Sequence, residues 1–136
     1  MSLSVFAVPS MALDLRAEPR SVAAARRQLL AFATEQGAAG EILERLRLAV
    51  SEAVTNAVVH AYPAGFDGLV HVEADVEDGD LEVVVLDDGD GFRTDAGPGL
   101  GLGMGVITQT ADDLMVRDRI PSGVEVWMRF VLGGED

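Results

Sequence analysis

The chain contains the stretch Ser51-Glu52-Ala53-Val54-Thr55-Asn56-Ala57-Val58-Val59-His60-Ala61-Tyr62, which predicts a helix that is apolar apart from one polar stripe. Glu52, Asn56 and His60 follow one another at intervals of four residues and therefore share one face of that helix. Buried polar groups need partners, so a stripe with a carboxylate, an amide and an imidazole is unsuited to the hydrophobic core. The stripe predicts the wall of a pocket that handles a metal ion and a proton. The alternative is a paired polar cluster on a partly exposed helix.

The rest of the chain predicts a helix and sheet sandwich around this stretch. The stretch belongs to a helix from about residue 39 to 61, and Ser21 is a suitable N-cap for an earlier helix that ends near Glu35. The other predicted elements are strands at about 11–16, 69–76, 81–86, 114–118 and 124–132 and a helix at about 104–113. This order predicts an α/β (α+β) two-layer sandwich, with helices on one face of a mixed, mostly antiparallel sheet.

Length, charge and residue usage narrow the possible functions. A chain of 136 residues suits one domain, and its formal net charge of −13 disfavours surfaces that bind nucleic-acid phosphates or anionic membranes. All ten basic residues are arginines, which excludes the phosphate-binding lysine of a P-loop. The sequence has no cysteine, which excludes disulfides, thiolate nucleophiles and cysteine–zinc sites. No apolar run is long enough to span a bilayer and the N-terminus lacks a basic region, so we expect a cytoplasmic protein.

A second polar motif follows the third predicted strand and reads Asp87-Asp88-Gly89-Asp90-Gly91. Asp87 shares its parity in that strand with Leu81 and Val85, so it lies at the mouth of an apolar layer if that face is the core face. A carboxylate there needs a donor, and the amino group of adenine is one candidate. The opposite parity, which ends in Asp88, is equally apolar, so alternation leaves open which aspartate points inward. A simple Asp/Gly turn is the alternative.

Glycines alternate at positions 99, 101, 103 and 105, immediately before the last predicted helix. Glycine lets the backbone approach a ligand closely, and a helix N-terminus offers free N–H groups to phosphates. The dinucleotide fingerprint G-x-G-x-x-G does not fit, because Met104 or Val106 occupies its third glycine position. The loop predicts a phosphate cradle, with a flexible hinge as the alternative.

In this order, the three motifs resemble the N, G1 and G2 boxes of the GHKL (Bergerat-fold) ATPases. The string that starts at Ser51 is especially similar to the N box of the anti-sigma factor serine/threonine kinases of the SpoIIAB/RsbW type. The resemblance extends from about Met11 to Leu132 and implies a single histidine-kinase-like ATPase domain over residues 1–136. It implies an ATP-dependent protein serine/threonine kinase that phosphorylates an anti-sigma-factor antagonist of the STAS type while sequestering a sigma factor.

The resemblance also assigns roles to matching positions. Glu52 would be the general base, and Asn56 would hold Mg²⁺ beside the phosphates of ATP. Asp87 would bind the adenine amino group. The remaining pocket and lid positions would be Gly89, Gly91, Gly99, Gly101, Leu102, Gly103 and Met104. His60 is assigned a structural role at the helix end, and relatives of this type imply a homodimer.

Two departures from the family pattern support a second interpretation. The family commonly has a Gly-Thr pair before the last strand, whose threonine helps to bind adenine, whereas this chain has Gly123-Val124. The predicted lid between Phe92 and Gly101 is short, and Arg93 is its only basic residue. These features fit a nucleotide-regulated binding module with little or no kinase activity. A third interpretation is an α/β domain whose polar motif residues are structural.

Overall fold

Five strands and two long helices make up the described part of the chain, which covers residues 8–60, 68–89 and 107–132 of this computed structural model. In chain order they are β1 (Ser10–Arg16), α1 (Arg20–Glu35), α2 (Glu41–His60), β2 (Leu69–Glu77), β3 (Asp80–Asp87), β4 (Asp113–Asp118) and β5 (Val124–Val131). A helical turn at residues 107–110 precedes β4. These bounds lie close to those that the sequence predicts. Within the described residues, no helix combines the length and the apolar character that crossing a membrane requires.

The strands form one sheet in the order β1-β2-β3-β5-β4. The central strand β3 pairs with β2 on one side and with β5 on the other. Asp78 and Gly79 both adopt positive φ, as a tight two-residue hairpin between β2 and β3 requires. The predicted two-layer fold with a mostly antiparallel sheet is confirmed. The sheet is not mixed as expected, because every pairing among the described strands is antiparallel.

The core lies between the helices and one face of the sheet. Alternate residues of β3 point to this inner face, and Leu81, Val83 and Val85 are almost completely buried. α2 packs over β2, β3 and β5 with a stripe of buried side chains, namely Leu46, Ala49, Val50, Ala53, Val54 and Ala57. α1 packs on α2 and adds Ala25, Leu29, Phe32 and Ala33. This packing places α2 directly over the strand that leads into the second polar motif.

The start of α1 differs from the prediction. Ser21 is not the N-cap, because Pro19 occupies that position and no side chain caps the helix there. The Ser21 hydroxyl instead donates to the carbonyl oxygen of Arg16 at 2.6 Å. Ser21 is buried, so this bond satisfies its hydroxyl and ties the first turn of α1 to the end of β1.

The last predicted helix also ends earlier than expected. Residues 107–110 are helical, but Asp113 is already the first residue of β4. The N–H of Asp112 donates to the carbonyl of Arg129 at 2.8 Å, which draws the chain into the sheet beside β5. The predicted start of this helix near Met104 lies outside the described residues.

Candidate functional site

The strand β3 ends on the inner face of the sheet with a buried carboxylate. Asp87 continues the alternation of Leu81, Val83 and Val85 and is only 5% exposed, whereas Asp88 is exposed. The ambiguity that alternation leaves open is therefore resolved in favour of Asp87. Because a buried carboxylate is stable only with donors around it, its hydrogen bonds decide what the group can do.

Two backbone N–H groups hold one oxygen of this carboxylate. Asp87 Oδ1 accepts from the N–H of Gly89 at 2.9 Å and from the N–H of Val124, on the neighbouring strand, at 3.3 Å. In the described part of the chain, Asp87 Oδ2 accepts no hydrogen bond. The carboxylate is thus fixed through Oδ1.

The surroundings of Asp87 disfavour its charged form. Burial raises the pKa of the Asp87 carboxyl, and the negative charge of Asp88 adds to this effect. The N–H groups of Gly89 and Val124 and the guanidinium of Arg119 act in the opposite direction on this pKa. The folded protein keeps an electrostatically costly group at the end of its central strand, which is typical of a binding site rather than of core packing.

The turn between β4 and β5, residues 119–123, holds the end of β3 from the side. Arg119 Nη1 donates to the carbonyl oxygen of Asp87 at 2.8 Å and to Asp88 Oδ1 at 2.7 Å. The hydroxyl of Ser122 donates to the carbonyl oxygen of Asp88 at 3.1 Å. Sequence reasoning missed Arg119 because an arginine in a turn belongs to no motif. The available signal is the glycine that directly precedes the last strand.

That glycine, Gly123, packs directly against Asp87. It is buried and has a φ of +106°, a conformation that residues with a side chain rarely adopt. A Cβ placed on Gly123 would lie 1.9 Å from the carbonyl oxygen of Asp87. Only glycine therefore allows the turn to approach the end of β3 this closely.

We expect Gly123→Ala to lower the free energy of unfolding by about 2–3 kcal/mol, because the new methyl group meets backbone that cannot move without breaking the sheet. Urea denaturation measures this loss. Gly79→Ala is the matched control, since Gly79 also has positive φ but its added Cβ meets no atom within 4 Å. Gly79→Ala should lower the free energy of unfolding by only about 1 kcal/mol, the cost of placing a side chain on a residue with positive φ. Equal losses in the two variants would show that the contact with Asp87 is not tight.

The polar stripe of α2 lies at the edge of its buried face. Glu52 is half-buried, and it makes no hydrogen bond or ion pair with any described residue. Asn56 follows one turn later, about 6 Å along the helix axis. Both residues lie on the helix that covers the inner face of β3, on which Asp87 lies.

The side-chain amide of Asn56 is buried, and one of its two polar atoms has no partner among the described residues. Asn56 is 9% exposed, and the atom without a hydrogen-bond partner there is its buried Nδ2. Buried amides are normally paired, so this one is suited to a partner that the described protein groups do not provide. An amide presents one oxygen acceptor and one NH₂ donor, which fits Mg²⁺ through the oxygen and a water or phosphate oxygen through the nitrogen.

Arg45 attaches the segment after the glycine loop to the same edge of α2. It lies two helical turns before Glu52 and therefore shares that residue's face. Its Nη1 donates to the carbonyl of Thr110 at 3.0 Å and lies 3.6 Å from Asp112 Oδ1. These contacts hold the end of the helical turn 107–110 against the N-terminal half of α2.

Several predicted site positions lie outside the described residues, namely Gly91, Gly99, Gly101, Leu102, Gly103 and Met104. His60 ends α2, and its side chain is also outside the described part. His71 Nδ1 contacts the carboxylate of Asp14, and its Nε2 lies 3.7 Å from Asp88 Oδ2. Across residues 8–60, 68–89 and 107–132, no three acidic or histidine side chains are arranged to hold a metal ion.

The fold and the site define the class of protein. The chain belongs to the family described as the histidine kinase-like ATPase domain, whose model matches residues 15–130. The predicted resemblance to the GHKL ATPases is confirmed by this match.

Within that family, the chain belongs with the RsbW serine-protein kinases. It is 36% identical to serine-protein kinase RsbW of Bacillus subtilis (strain 168) over an alignment of 139 positions, gaps included. The alignment covers 90% of this chain and 86% of that protein. It is 41% identical to serine-protein kinase RsbW of Listeria innocua over 80 residues, which cover 59% of this chain and 51% of the relative. The predicted resemblance to the RsbW type is thus confirmed.

A solved structure shows the same fold. The crystal structure of the RsbU and RsbW domains of Rv1364c from Mycobacterium tuberculosis matches with a TM-score of 0.74 at 23% identity. The match covers 91% of this chain but only 32% of that longer chain. At this identity the likeness supports the fold, whereas the function rests on the site and on the relatives above.

Proposed function

We propose that this protein binds Mg-ATP and transfers the γ-phosphate to a serine or threonine of an anti-sigma-factor antagonist, while it also sequesters a sigma factor. The observation that carries the proposal is the buried carboxylate of Asp87, which is fixed through Oδ1 and whose Oδ2 accepts no hydrogen bond from a described residue. The relatives named serine-protein kinase RsbW favour a kinase over the alternative, a binding module without phosphotransfer.

The adenine end of the nucleotide would be held by Asp87. Its Oδ2 would accept a hydrogen bond from the adenine amino group, while apolar residues of the inner face contact the ring. Gly89 supports this arrangement because its N–H orients Oδ1. Other positions assigned to the pocket and the phosphate cradle are Gly91, Gly99, Gly101, Leu102, Gly103 and Met104.

The phosphate end would lie along the polar stripe of α2. The amide oxygen of Asn56 would hold Mg²⁺, with water and phosphate oxygens as the other ligands. The ion would neutralise phosphate charge when bound. Arg45 would keep the segment after the glycine loop against α2 through its bond to Thr110. Positioning of the reactants would account for most of the rate enhancement.

Glu52 would act as the general base. Its carboxylate is half-buried and unengaged by the described residues, so it is free to accept a proton from the attacking hydroxyl. The hydroxyl oxygen forms a bond to the γ-phosphorus, the bond from that phosphorus to the bridging oxygen breaks, and ADP leaves. The proton of the hydroxyl passes to Glu52, so that atoms and charge balance.

The proposal is tested by incubating the purified chain with radiolabelled Mg-ATP and its cognate STAS-type antagonist. We expect label on the antagonist, and no label on an antagonist whose acceptor serine or threonine is replaced by alanine. ATP binding without transfer would instead support the nucleotide-regulated binding module. Failure to bind any adenine nucleotide with Mg²⁺ present would contradict both.

We further propose an assembly and a location for the protein. The resemblance implies a homodimer in the cytoplasm, with the sigma factor and the antagonist as protein partners. The acidic character of the chain, with a net charge of −13, suits a partner with a basic surface. Sedimentation of the purified chain at several concentrations measures its oligomeric state.

A further inference from the structure

The turn at residues 119–123 is bonded to the very residue that is proposed to contact adenine. Arg119 Nη1 lies between the carbonyl oxygen of Asp87 and the carboxylate of Asp88, at 2.8 and 2.7 Å. The N–H of Arg119 donates to the carbonyl of Gly123 at 2.9 Å, which closes the turn. Its side chain is 32% exposed, so these bonds are partly shielded from water.

Asp87 is consequently restrained at both of its polar ends. Its carboxylate is held through Oδ1 by the N–H groups of Gly89 and Val124, and its carbonyl is held by Arg119. Val124 directly follows the same turn in the chain. A displacement of the turn would therefore disturb the carbonyl bond and the carboxylate bond together, and would move Oδ2.

We propose that Arg119 is a positioning residue for recognition of the adenine amino group, acting through Asp87 rather than by contact with the nucleotide. This inference rests on the proposed function, because it assumes that Asp87 Oδ2 accepts from adenine. The support for it is geometric: one guanidinium nitrogen bridges two consecutive residues at the end of the strand that carries the acceptor.

Electrostatics adds a second effect of the same residue. Asp87 must be ionised for both of its oxygens to accept, yet its pKa is raised by burial and by the charge of Asp88. The positive charge of Arg119 opposes that rise, and Asp88 and Arg119 are the charged groups that act on Asp87 among the described residues. His71 Nε2 lies 3.7 Å from Asp88 Oδ2, so His71 contacts Asp88 and not Asp87. Without Arg119, ATP affinity should therefore begin to fall at a higher pH as the solution is acidified.

A purely structural role for Arg119 is the competing explanation, and the same hairpin offers its control. Arg117 pairs across the hairpin with Glu125, at 3.2 and 3.4 Å, and its side chain is 62% exposed. Exposed pairs of this kind contribute little to stability. Arg117→Met therefore removes an arginine and an ion pair from the hairpin without touching the end of β3.

The experiment measures the affinity of the wild-type chain and of Arg119→Met, Arg119→Lys and Arg117→Met for two nucleotides by calorimetry. The nucleotides are ATP and purine riboside triphosphate, which lacks the amino group, each with Mg²⁺. Loss of a charge-assisted bond in Arg119→Met should weaken ATP by about tenfold and the analogue by less than about twofold. Arg119→Lys should recover part of the ATP affinity, and Arg117→Met should match the wild type with both nucleotides. As the solution is acidified, the ATP affinity of Arg119→Met should begin to fall at a higher pH than that of the wild type.

The outcomes separate this inference from the proposed function. If the wild type prefers ATP to the analogue and Arg119→Met keeps that preference, the positioning role is wrong and the proposed function stands. Equal weakening of both nucleotides would assign Arg119 a merely structural role and overturn the inference as well. If the wild type binds both nucleotides equally, the adenine contact of Asp87 itself fails. Should Arg119→Met not fold, Arg119→Lys decides: a lower ratio of ATP affinity to analogue affinity than in the wild type supports the positioning role, and an unchanged ratio overturns it.

Discussion

Replacement of Glu52 by alanine is expected to lower the rate of phosphotransfer by about 10³-fold, within the range of a general base. The affinity for Mg-ATP should stay within about threefold of the wild type, because the carboxylate acts on the attacking hydroxyl rather than on the nucleotide. Single-turnover transfer to the antagonist measures the first quantity, and calorimetry measures the second. The two together distinguish a lost proton acceptor from a damaged pocket.

Glu44→Ala is the matched control for this prediction. Glu44 lies on the same helix, is exposed, and forms an ion pair with Arg47 on the helix surface. Its loss changes the charge of α2 as Glu52→Ala does, so both quantities should remain near the wild-type values. Unchanged transfer by Glu52→Ala would remove Glu52 from the mechanism, and an equal fall in the two variants would point to the helix charge.

Hydrophobic periodicity predicts the fold well because it reflects burial directly. The alternation in β3 and the apolar spacing in α2 each produce a face that must be covered, and the structure covers both. Local bonding is less predictable. The Ser21 hydroxyl could cap α1 or bond to β1, and only the arrangement of the two elements decides in favour of Arg16.

The candidate site is predictable in its motifs but not in its supports. Asp87 and Asp88 have equivalent sequence environments, and the inward choice depends on the register that pairs Asp87 with Val124. The bond from Arg119 joins residues that are 32 positions apart, so no local pattern reveals it. Long-range contacts of this kind depend on the sheet order, which periodicity does not specify.

Asp87→Asn is expected to weaken ATP binding by roughly 10³-fold, although the change replaces a single oxygen. The N–H groups of Gly89 and Val124 both donate to Oδ1, so the new amide must turn its carbonyl oxygen toward them. Its NH₂ group then occupies the place of Oδ2 and faces the adenine amino group, which sets a donor against a donor. Calorimetry with ATP measures the loss, and purine riboside triphosphate should lose much less.

The same variant should not lose stability. Because the folded pKa of Asp87 lies above its unfolded value, the stability that this group contributes is present below the unfolded pKa and is lost as pH rises through the folded pKa. At about pH 7 the charged group opposes folding, so Asp87→Asn should be as stable as the wild type or more stable by about 1 kcal/mol. Any gain should shrink as pH falls through the raised pKa, where Asp87 is neutral too. Urea denaturation at about pH 7 and at a pH below the raised pKa of Asp87 measures the difference in stability.

Asp75→Asn is the matched control for both measurements. Asp75 lies on β2 with a carboxyl whose pKa is also raised by burial and by Glu82, but its position in the strand directs it to the outer face of the sheet. ATP affinity should not change in that variant. If Asp87→Asn keeps its ATP affinity, adenine is recognised elsewhere, and if it unfolds, the carboxylate is structural. Lost binding with retained stability is the combination that a ligand-binding carboxylate alone produces, because a structural acid stabilises the fold and a binding acid destabilises it until the ligand arrives.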